Sequence, residues 1–260
     1  MADYNGTDEE DLIDASELDS EIGNIYPGKG NDTVTNATSK HTIISGPGED
    51  NISGEKFGYA LWNATQAVTI NLKENWSEDG FGTRDTVSGV ETIHGSSFGD
   101  TVYGSENYER YFVNGGNNTI DGGGGYDRAS YAPGRGASTD FEITYIDGSA
   151  HVKGQNTLDI LTNISTIEFM DDSKIFSVDD ENGSIFNGAI FYGTENYENF
   201  FIDGGNNIVY AGGGDDLVYY KNGNSKDYSV TLVGDEVHVI SPTTKDIIIG
   251  GRYIEFMVDK

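Results

Sequence analysis

The chain has 260 residues, with 44 acidic side chains against 15 basic ones and a formal net charge of −29. That balance excludes nucleic acid and anionic membranes as natural partners, and self-repulsion at such a charge disfavours a compact state unless cations screen or neutralise it. With no cysteine there are no disulfides, thiolate metal sites or cysteine nucleophiles, and no apolar run of about eighteen residues could span a bilayer.

The N-terminus, Met1-Ala2-Asp3-Tyr4 onward, lacks the basic and apolar regions of a secretory signal peptide. The expectation is a protein that stays inside or leaves by a route that does not read this end. Leu12 to Ile22 carries a weak apolar pattern, short and acidic, and reads as an irregular first coil rather than a helix. The first clear element is Pro27-Gly28-Lys29-Gly30-Asn31-Asp32-Thr33-Val34-Thr35. Its form returns as Ser45-Gly46-Pro47-Gly48-Glu49-Asp50-Asn51-Ile52-Ser53. The intervening nonapeptide, Asn36 to Ile44, has lost its Gly and Asp but keeps the apolar residue in frame. The period of nine thus places large apolar residues at Val34, Ile43, Ile52 and Leu61.

Ala67-Val68-Thr69-Ile70-Asn71-Leu72 alternates as a strand does, and leads to Asp85-Thr86-Val87-Ser88-Gly89-Val90-Glu91-Thr92-Ile93. A second in-frame run follows at Val102, Tyr111, Ile120 and Ala129, and a third at Phe191, Phe200, Val209 and Val218. These two runs are copies of one another. Gly104-Ser105-Glu106-Asn107-Tyr108-Glu109 matches Gly193-Thr194-Glu195-Asn196-Tyr197-Glu198, and the match continues to Tyr131 against Tyr220. Later, Asp140-Phe141-Glu142-Ile143-Thr144 matches Asp227-Tyr228-Ser229-Val230-Thr231, and Ile167-Glu168-Phe169-Met170 matches Ile254-Glu255-Phe256-Met257. Asp85 to Ile93 parallels Asp159 to Ile167 as a shorter first copy. The chain therefore reads as three tandem modules, 1–93, 94–183 and 184–260, each a nonapeptide stack followed by strands that cap it.

Small residues in the first six positions and a large apolar one at the eighth make a turn followed by a short strand. A unit this short cannot bury a core alone, so copies must stack. Two units make a coil of 18 residues, which puts the Asp32 and Asp50 turns above one another. Carboxylates and turn carbonyls between stacked turns form an oxygen-only cage. Such a cage suits Ca²⁺, with its six to eight hard ligands, better than Mg²⁺ or Zn²⁺. The four histidines, at 41, 94, 151 and 238, show no ligand spacing, and His151 and His238 read as plain sheet residues.

These segments resemble the RTX (hemolysin-type) calcium-binding nonapeptide repeat, Gly-Gly-x-Gly-x-Asp-x-U-x, where U is a large apolar residue. The resemblance covers most of the chain and implies an all-β fold: right-handed parallel β-roll stacks with short capping strands. It also implies calcium held by the position-six side chains and turn carbonyls. Position six falls at Asp32 and Asp50 in the first stack, and at Asp100, Glu109, Asn118 and Asp127 in the second. In the third it falls at Ala189, Glu198, Asn207 and Asp216. The turn glycines are Gly28 and Gly30, Gly46 and Gly48, Gly123 and Gly125, and Gly212 and Gly214. Same-side pairs would be Asp32 with Asp50, Asp100 with Asn118, Glu109 with Asp127, and Glu198 with Asp216. Ala189 breaks the pair with Asn207 and predicts a weak or empty site there.

No Gly-x-Ser-x-Gly elbow, His-Glu-x-x-His helix or Walker loop occurs, and repeats and caps leave no room for a catalytic domain. Asn36-Ala37-Thr38 and Asn75-Trp76-Ser77 read as turn and strand residues rather than glycosylation sites. The reading is a non-enzymatic protein whose partner is calcium, with no nucleic acid and no membrane insertion. The resemblance implies export by a type I system and folding by Ca²⁺ outside the cell or at its surface. The alternative is a self-associating structural subunit of a surface layer, adhesin or virion, locked by Ca²⁺.

Overall fold

The computed structural model describes residues 2–146, 149–171, 173–177, 190–192, 199–202, 206–212, 215–220 and 224–256. Six strands open the chain: β1 (Ala2–Thr7), β2 (Leu12–Asp14), β3 (Ile22–Gly28), β4 (Thr33–Ala37), β5 (Thr42–Ile44) and β6 (Asn51–Ala60). A hairpin, β7 (Thr69–Asn71) and β8 (Trp76–Glu78), then leads into the long β9 (Arg84–His94). Winding resumes through β10 (Thr101–Tyr103), β11 (Arg110–Val113), β12 (Thr119–Asp121) and β13 (Arg128–Tyr131). A meander of β14 (Glu142–Ile146), β15 (Ser149–Lys153) and β16 (Leu158–Thr162) follows, then β17 (Thr166–Phe169) and β18 (Lys174–Ser177). The last part holds β19 (Ile190–Tyr192), β20 (Asn199–Ile202), β21 (Ile208–Tyr210) and β22 (Leu217–Tyr220). A second meander, β23 (Ser229–Val233), β24 (Glu236–Ile240) and β25 (Lys245–Ile249), precedes β26 (Tyr253–Phe256). Helix is limited, among the described residues, to single 3₁₀ turns at Ser138–Asp140 and Ser225–Asp227, the same place in the two copies.

Strands alternate between two ladders, so each coil of chain contributes one strand to each side of a parallel roll. The first ladder runs β1, β3, β5, the end of β6, the end of β9, β11, β13 and β17, all parallel. The second begins β2, β4, the start of β6 and the start of β9. There β8 and β7 add antiparallel strands, and β10, β12 and β16 continue parallel to β7. β15 and β14 repeat the device, and β19, β21 and β25 continue parallel to β14. β20, β22 and β26 form a separate parallel sheet. The β7–β8 hairpin lengthens only the second ladder, since β9 and β11 remain direct neighbours in the first. Two extra strands at about 4.8 Å each add roughly 10 Å to one side, so the stack must fan open there.

The inward row is the apolar row of the nonapeptides. Val34 pairs with Ile52, Val102 with Ile120, and Tyr111 with Ala129, each 18 residues apart, and all are buried. Val209 and Val218 are likewise buried. One frame differs from expectation: Ile43 meets Tyr59 instead of Leu61. β6 runs through its corner as one ten-residue strand with Lys56 at φ 59°, where a full glycine turn would have used more chain. Leu61 is still buried, one position beyond the end of β6. The Leu12–Ile22 stretch holds a short strand, β2, whose Ile13 joins the inward row opposite Val34.

Because Ile52 packs between the Val34 and Val87 coils, truncating it leaves a cavity that neighbouring coils cannot collapse around. Ile52→Ala should lower stability by about 2–5 kcal/mol in calcium-saturated urea unfolding. Glu55→Ala, on the exposed part of the same strand, should stay within about 0.5 kcal/mol.

Candidate metal centre

Stacking turns in parallel leaves each turn's backbone N–H pointing along the roll axis, where it needs an acceptor. The position-six side chains supply it, one coil further along. Asp32 Oδ1 accepts from the Asp11 N–H at 2.8 Å, Asp50 Oδ1 from the Asp32 N–H at 2.9 Å, and Asp85 Oδ1 from the Asp50 N–H at 3.0 Å. A second column repeats the pattern. Asp100 Oδ1 accepts from the Val68 N–H at 3.0 Å, Asn118 Oδ1 from the Asp100 N–H at 3.0 Å, and Asp159 Oδ1 from the Asn118 N–H at 2.9 Å. Asp127 Oδ1 accepts from the Glu109 N–H at 2.7 Å, and Asp246 Oδ1 from the Asn207 N–H at 2.8 Å. Each of these acceptor side chains is buried.

The pairs Asp32 with Asp50, Asp100 with Asn118, and Glu109 with Asp127 are therefore brought together. They meet side chain to backbone, so one oxygen of each acceptor is committed before any ion is considered. The second oxygen decides what a site can do, and two classes emerge. In the closed class hydroxyls or amides take it. Asp50 Oδ2 receives Ser45 at 2.6 Å, Asp85 Oδ2 receives Tyr59 at 2.6 Å, and Asp100 Oδ2 receives the Ser96 N–H at 2.7 Å. Asp159 Oδ2 receives Tyr131 at 3.0 Å, and Asp246 Oδ2 receives Tyr220 at 3.1 Å. Glu109 is held by Ser105 and by the Tyr111 hydroxyl at 3.2 Å. In the open class are Asp32 and Asp127, whose Oδ2 atoms are buried with no hydrogen-bond partner. A buried carboxylate oxygen left unpartnered is costly unless a cation meets it.

The rest of the coordination must come from backbone. Among the described residues no three His, Asp or Glu side chains converge on one point. Glycine makes the carbonyls available. A Cβ on Gly28 would lie 1.7 Å from the Thr7 carbonyl oxygen, and one on Gly30 would lie 2.7 Å from that of Glu9. In the other stack a Cβ on Gly123 would lie 2.3 Å from the Ser105 oxygen, and one on Gly125 would lie 2.4 Å from that of Asn107. Any side chain there would fill the gap between turns. Gly30, at φ 112°, and Gly125, at φ 96°, also occupy backbone conformations that L residues rarely adopt. A buried anionic oxygen beside closely stacked turns fits a hard cation such as Ca²⁺.

Of the remaining expected residues, Gly212 lies at a turn with φ 82°, and buried Asp216 accepts at its carbonyl from Arg252 and Tyr253. Glu198, Gly214 and Ala189 lie outside the described residues. Sequence reasoning passed over Asp85, Asp159 and Asp246, which extend the columns by one coil. Their signal was Asp two residues before an inward apolar residue, as in Asp85-Thr86-Val87, without the Gly two and four residues ahead that precedes Asp32, Asp50, Asp127 and Asp216. Each is closed by a buried tyrosine from the preceding part of the chain: Tyr59, Tyr131 and Tyr220.

Burial raises the carboxyl pKa throughout the columns. It lifts Asp85 to about 7, and Asp127 to about 7 with help from the neighbouring Glu109 charge. Asp32, Asp50, Asp100, Glu109, Asp159 and Asp246 shift upward for the same first reason. Desolvation likewise pushes the Tyr59 and Tyr131 hydroxyls well above their ordinary value, so both stay protonated donors.

A family description, the RTX calcium-binding nonapeptide repeat, matches in four copies over residues 85–107, 112–129 and 203–226. The chain thus carries RTX calcium-binding repeats on an all-β parallel roll, and the matched segments contain Asp100, Asn118 and Asp127. Residues 27–53 lie outside them, yet build the same stacked turns. No curated protein matches the sequence. Among solved structures, the chain is similar to the extracellular lipase LipA from Serratia marcescens, at 15% identity and a TM-score of 0.22. That match covers 61% of this chain, which spans 37% of the lipase chain, and says nothing about activity here.

Asp127→Asn separates the two jobs of an open carboxylate. Asparagine keeps the acceptor for the Glu109 N–H, as Asn118 does for Asp100, but removes the buried charge. In chelator at pH 8 the variant should melt no lower than the parent; in saturating calcium it should melt lower. The same sign applies to pH. Folded-state carboxyl pKa values above the unfolded 3.8 mean that the calcium-free fold binds protons more readily. Its stability should then fall as pH rises from about 4 to about 7 and stay low above that, as read by melting in chelator at pH 5 and pH 8.

Proposed function

We propose that the protein is a non-catalytic, calcium-dependent β-roll protein that folds and is stabilised by Ca²⁺ outside the cell after type I export. The observation that carries this reading is the pair of buried, unpartnered carboxylate oxygens on Asp32 and Asp127, each at the end of a glycine turn packed closely on the preceding coil's turn. With a net charge of −29, the calcium-free chain must bring carboxylates into a dry interior against mutual repulsion. At low cytosolic calcium that penalty keeps the roll loose. At extracellular calcium, about 1 mM, weak sites of this kind fill. Ions that bind only the folded stack convert occupancy into stability by mass action, about 1–3 kcal/mol per site. The chain reads as three such modules, 1–93, 94–183 and 184–260, with calcium distributed among stacks rather than gathered in one centre. Among the described residues no helix is long and apolar enough to cross a membrane.

A second reading, a structural subunit of a surface layer, adhesin or virion, draws on the large side chains the roll leaves outside, among them Trp62, Tyr103, Tyr126 and Leu232. The ions would then hold the subunit rigid in an assembly. Chelated protein titrated with calcium, followed by circular dichroism and calorimetry, tests the shared core of both. A cooperative gain of β-structure and heat stability with calcium, absent with magnesium, is expected. A fully folded chelated protein that takes up no calcium would overturn the reading.

A further inference from the structure

Between β13 and the β14–β16 meander the chain turns through Pro133-Gly134-Arg135-Gly136. Gly134 at φ 88° and Gly136 at φ 122° bracket Arg135, and the Asp171 carboxylate accepts from both of their N–H groups at 2.8 to 3.0 Å. The turn so fixed puts Arg135 in the wall of a cleft of about 580 Å³, together with Asp140, Phe141 and the β15–β16 turn, Gly154 to Thr157. Two nitrogens of Arg135, Nε and Nη2, are buried and have no hydrogen-bond partner. These two share one edge of the guanidinium, where parallel N–H groups match the two oxygens of a carboxylate.

The neighbouring acids do not fill that edge. Asp171 spends both oxygens on the turn. Asp140 Oδ2 accepts from the Ala137 N–H at 2.9 Å, and Asp159 has Oδ1 on Asn118 and Oδ2 on Tyr131. Burial raises the Asp159 carboxyl pKa, and Arg135 is the weakest of the groups that oppose the rise. Among the described residues Arg135 makes no ion pair, in a chain with 44 acidic side chains to offer. A buried charge with unmatched donors is costly, so the edge calls for an acceptor. The corresponding cleft beside the β8–β9 turn, about 540 Å³, is different: its Arg84 lies over the Trp76 ring at 3.7 Å. The later copy of the Arg135 turn, Lys221 to Asp227, carries no arginine.

We infer that this cleft binds a small organic acid through a single carboxylate, received by the Nε–Nη2 edge of Arg135. Charge sets the class of ligand. A monoanion balances the one guanidinium, whereas a dianion would also meet the Asp140 carboxylate in the same wall. Phe141 offers an aromatic surface to the body of the ligand, and its own position is fixed by Tyr131 and Phe169, each at 4.9 Å between ring centres. Gln155 and Asn156 are exposed beside it, with amides for polar substituents. The volume lies in the range of small-molecule sites. A carboxylate is larger than the water that the edge excludes, so binding draws the guanidinium outward into the cleft, a movement the long side chain allows. The cleft contains none of the column carboxylates, so it takes its ligand separately from calcium.

Benzoate and its uncharged analogue benzamide test this on the full chain in saturating calcium, by NMR of the backbone amides of Gly154 to Thr157. The parent should show saturable shifts there with millimolar benzoate and none with benzamide, and sulfate, a dianion, should bind more weakly than benzoate. Arg135→Met should abolish the benzoate shifts. Arg135→Lys keeps the charge but loses the edge, and should weaken binding about tenfold. Melting in calcium confirms that each variant stays folded, and should Arg135→Met fail to fold, Arg135→Lys carries the test. Benzoate shifts that survive Arg135→Met, or equal shifts with benzamide, would give the binding to the aromatic wall and overturn the inference. Tighter binding of sulfate would overturn the choice of a monoanion. A parent that ignores benzoate would overturn the site itself, and an Arg135→Met variant that then melts lower than the parent would make Arg135 an internal counter-ion of Asp159.

Discussion

Every stacked turn in this roll must satisfy a backbone N–H that points along the axis, and the chain does it with a buried carboxylate or amide oxygen from the next coil. The Asp11–Asp32–Asp50–Asp85 and Val68–Asp100–Asn118–Asp159 columns are that solution carried through the stack. Once the side chain is fixed by this bond, its second oxygen is buried wherever it points. The protein then has two ways to make that oxygen tolerable, a neighbouring hydroxyl or amide, or a cation. The choice between them divides the columns into parts that stand without ions and parts that do not.

The division follows which side chains reach the second oxygen. At Asp32 and Asp127, each at the end of a glycine turn, none does, whereas at Asp50, which ends the same kind of turn, Ser45 takes it. Where a hairpin or meander strand precedes the carboxylate, at Asp85, Asp159 and Asp246, a tyrosine closes it. These tyrosines also extend the apolar core. Tyr131 stacks on Phe169 and tilts against Phe141, and Tyr220 does the same with Phe256 and Tyr228. Burying the ring while its hydroxyl finds an acceptor is what tyrosine does best in a core. Each such pair anchors the place where antiparallel strands join the roll, which is also where the next coil must dock.

Much of this was legible in the sequence, for a physical reason. The period of nine fixes both the inward row and the stacking of turns 18 residues apart, so Val34 over Ile52 and Asp32 over Asp50 follow from counting. Counting fails where the chain departs from the period. The seven-residue step from Ile52 to Tyr59 moved Tyr59 into the row assigned to Leu61, because a strand bent at Lys56 replaced a turn. Asp85, Asp159 and Asp246 were missed because they lack glycine two and four residues ahead, although they hold the same Asp-x-apolar spacing. Nor could sequence tell open carboxylates from closed ones. Ser45 reaches Asp50 from five residues away and Asp85 from forty, and that second contact exists only once the coils are stacked.

The central claim is that ions enter where a carboxylate oxygen is left open and not where a hydroxyl has closed it. Anomalous diffraction from crystals of the calcium-loaded protein tests this most directly. The account predicts strong anomalous peaks beside the Asp32 and Asp127 carboxylates and none beside Asp85, Asp159 or Asp246. Peaks beside the tyrosine-closed carboxylates, with the Asp32 and Asp127 turns empty, would contradict it.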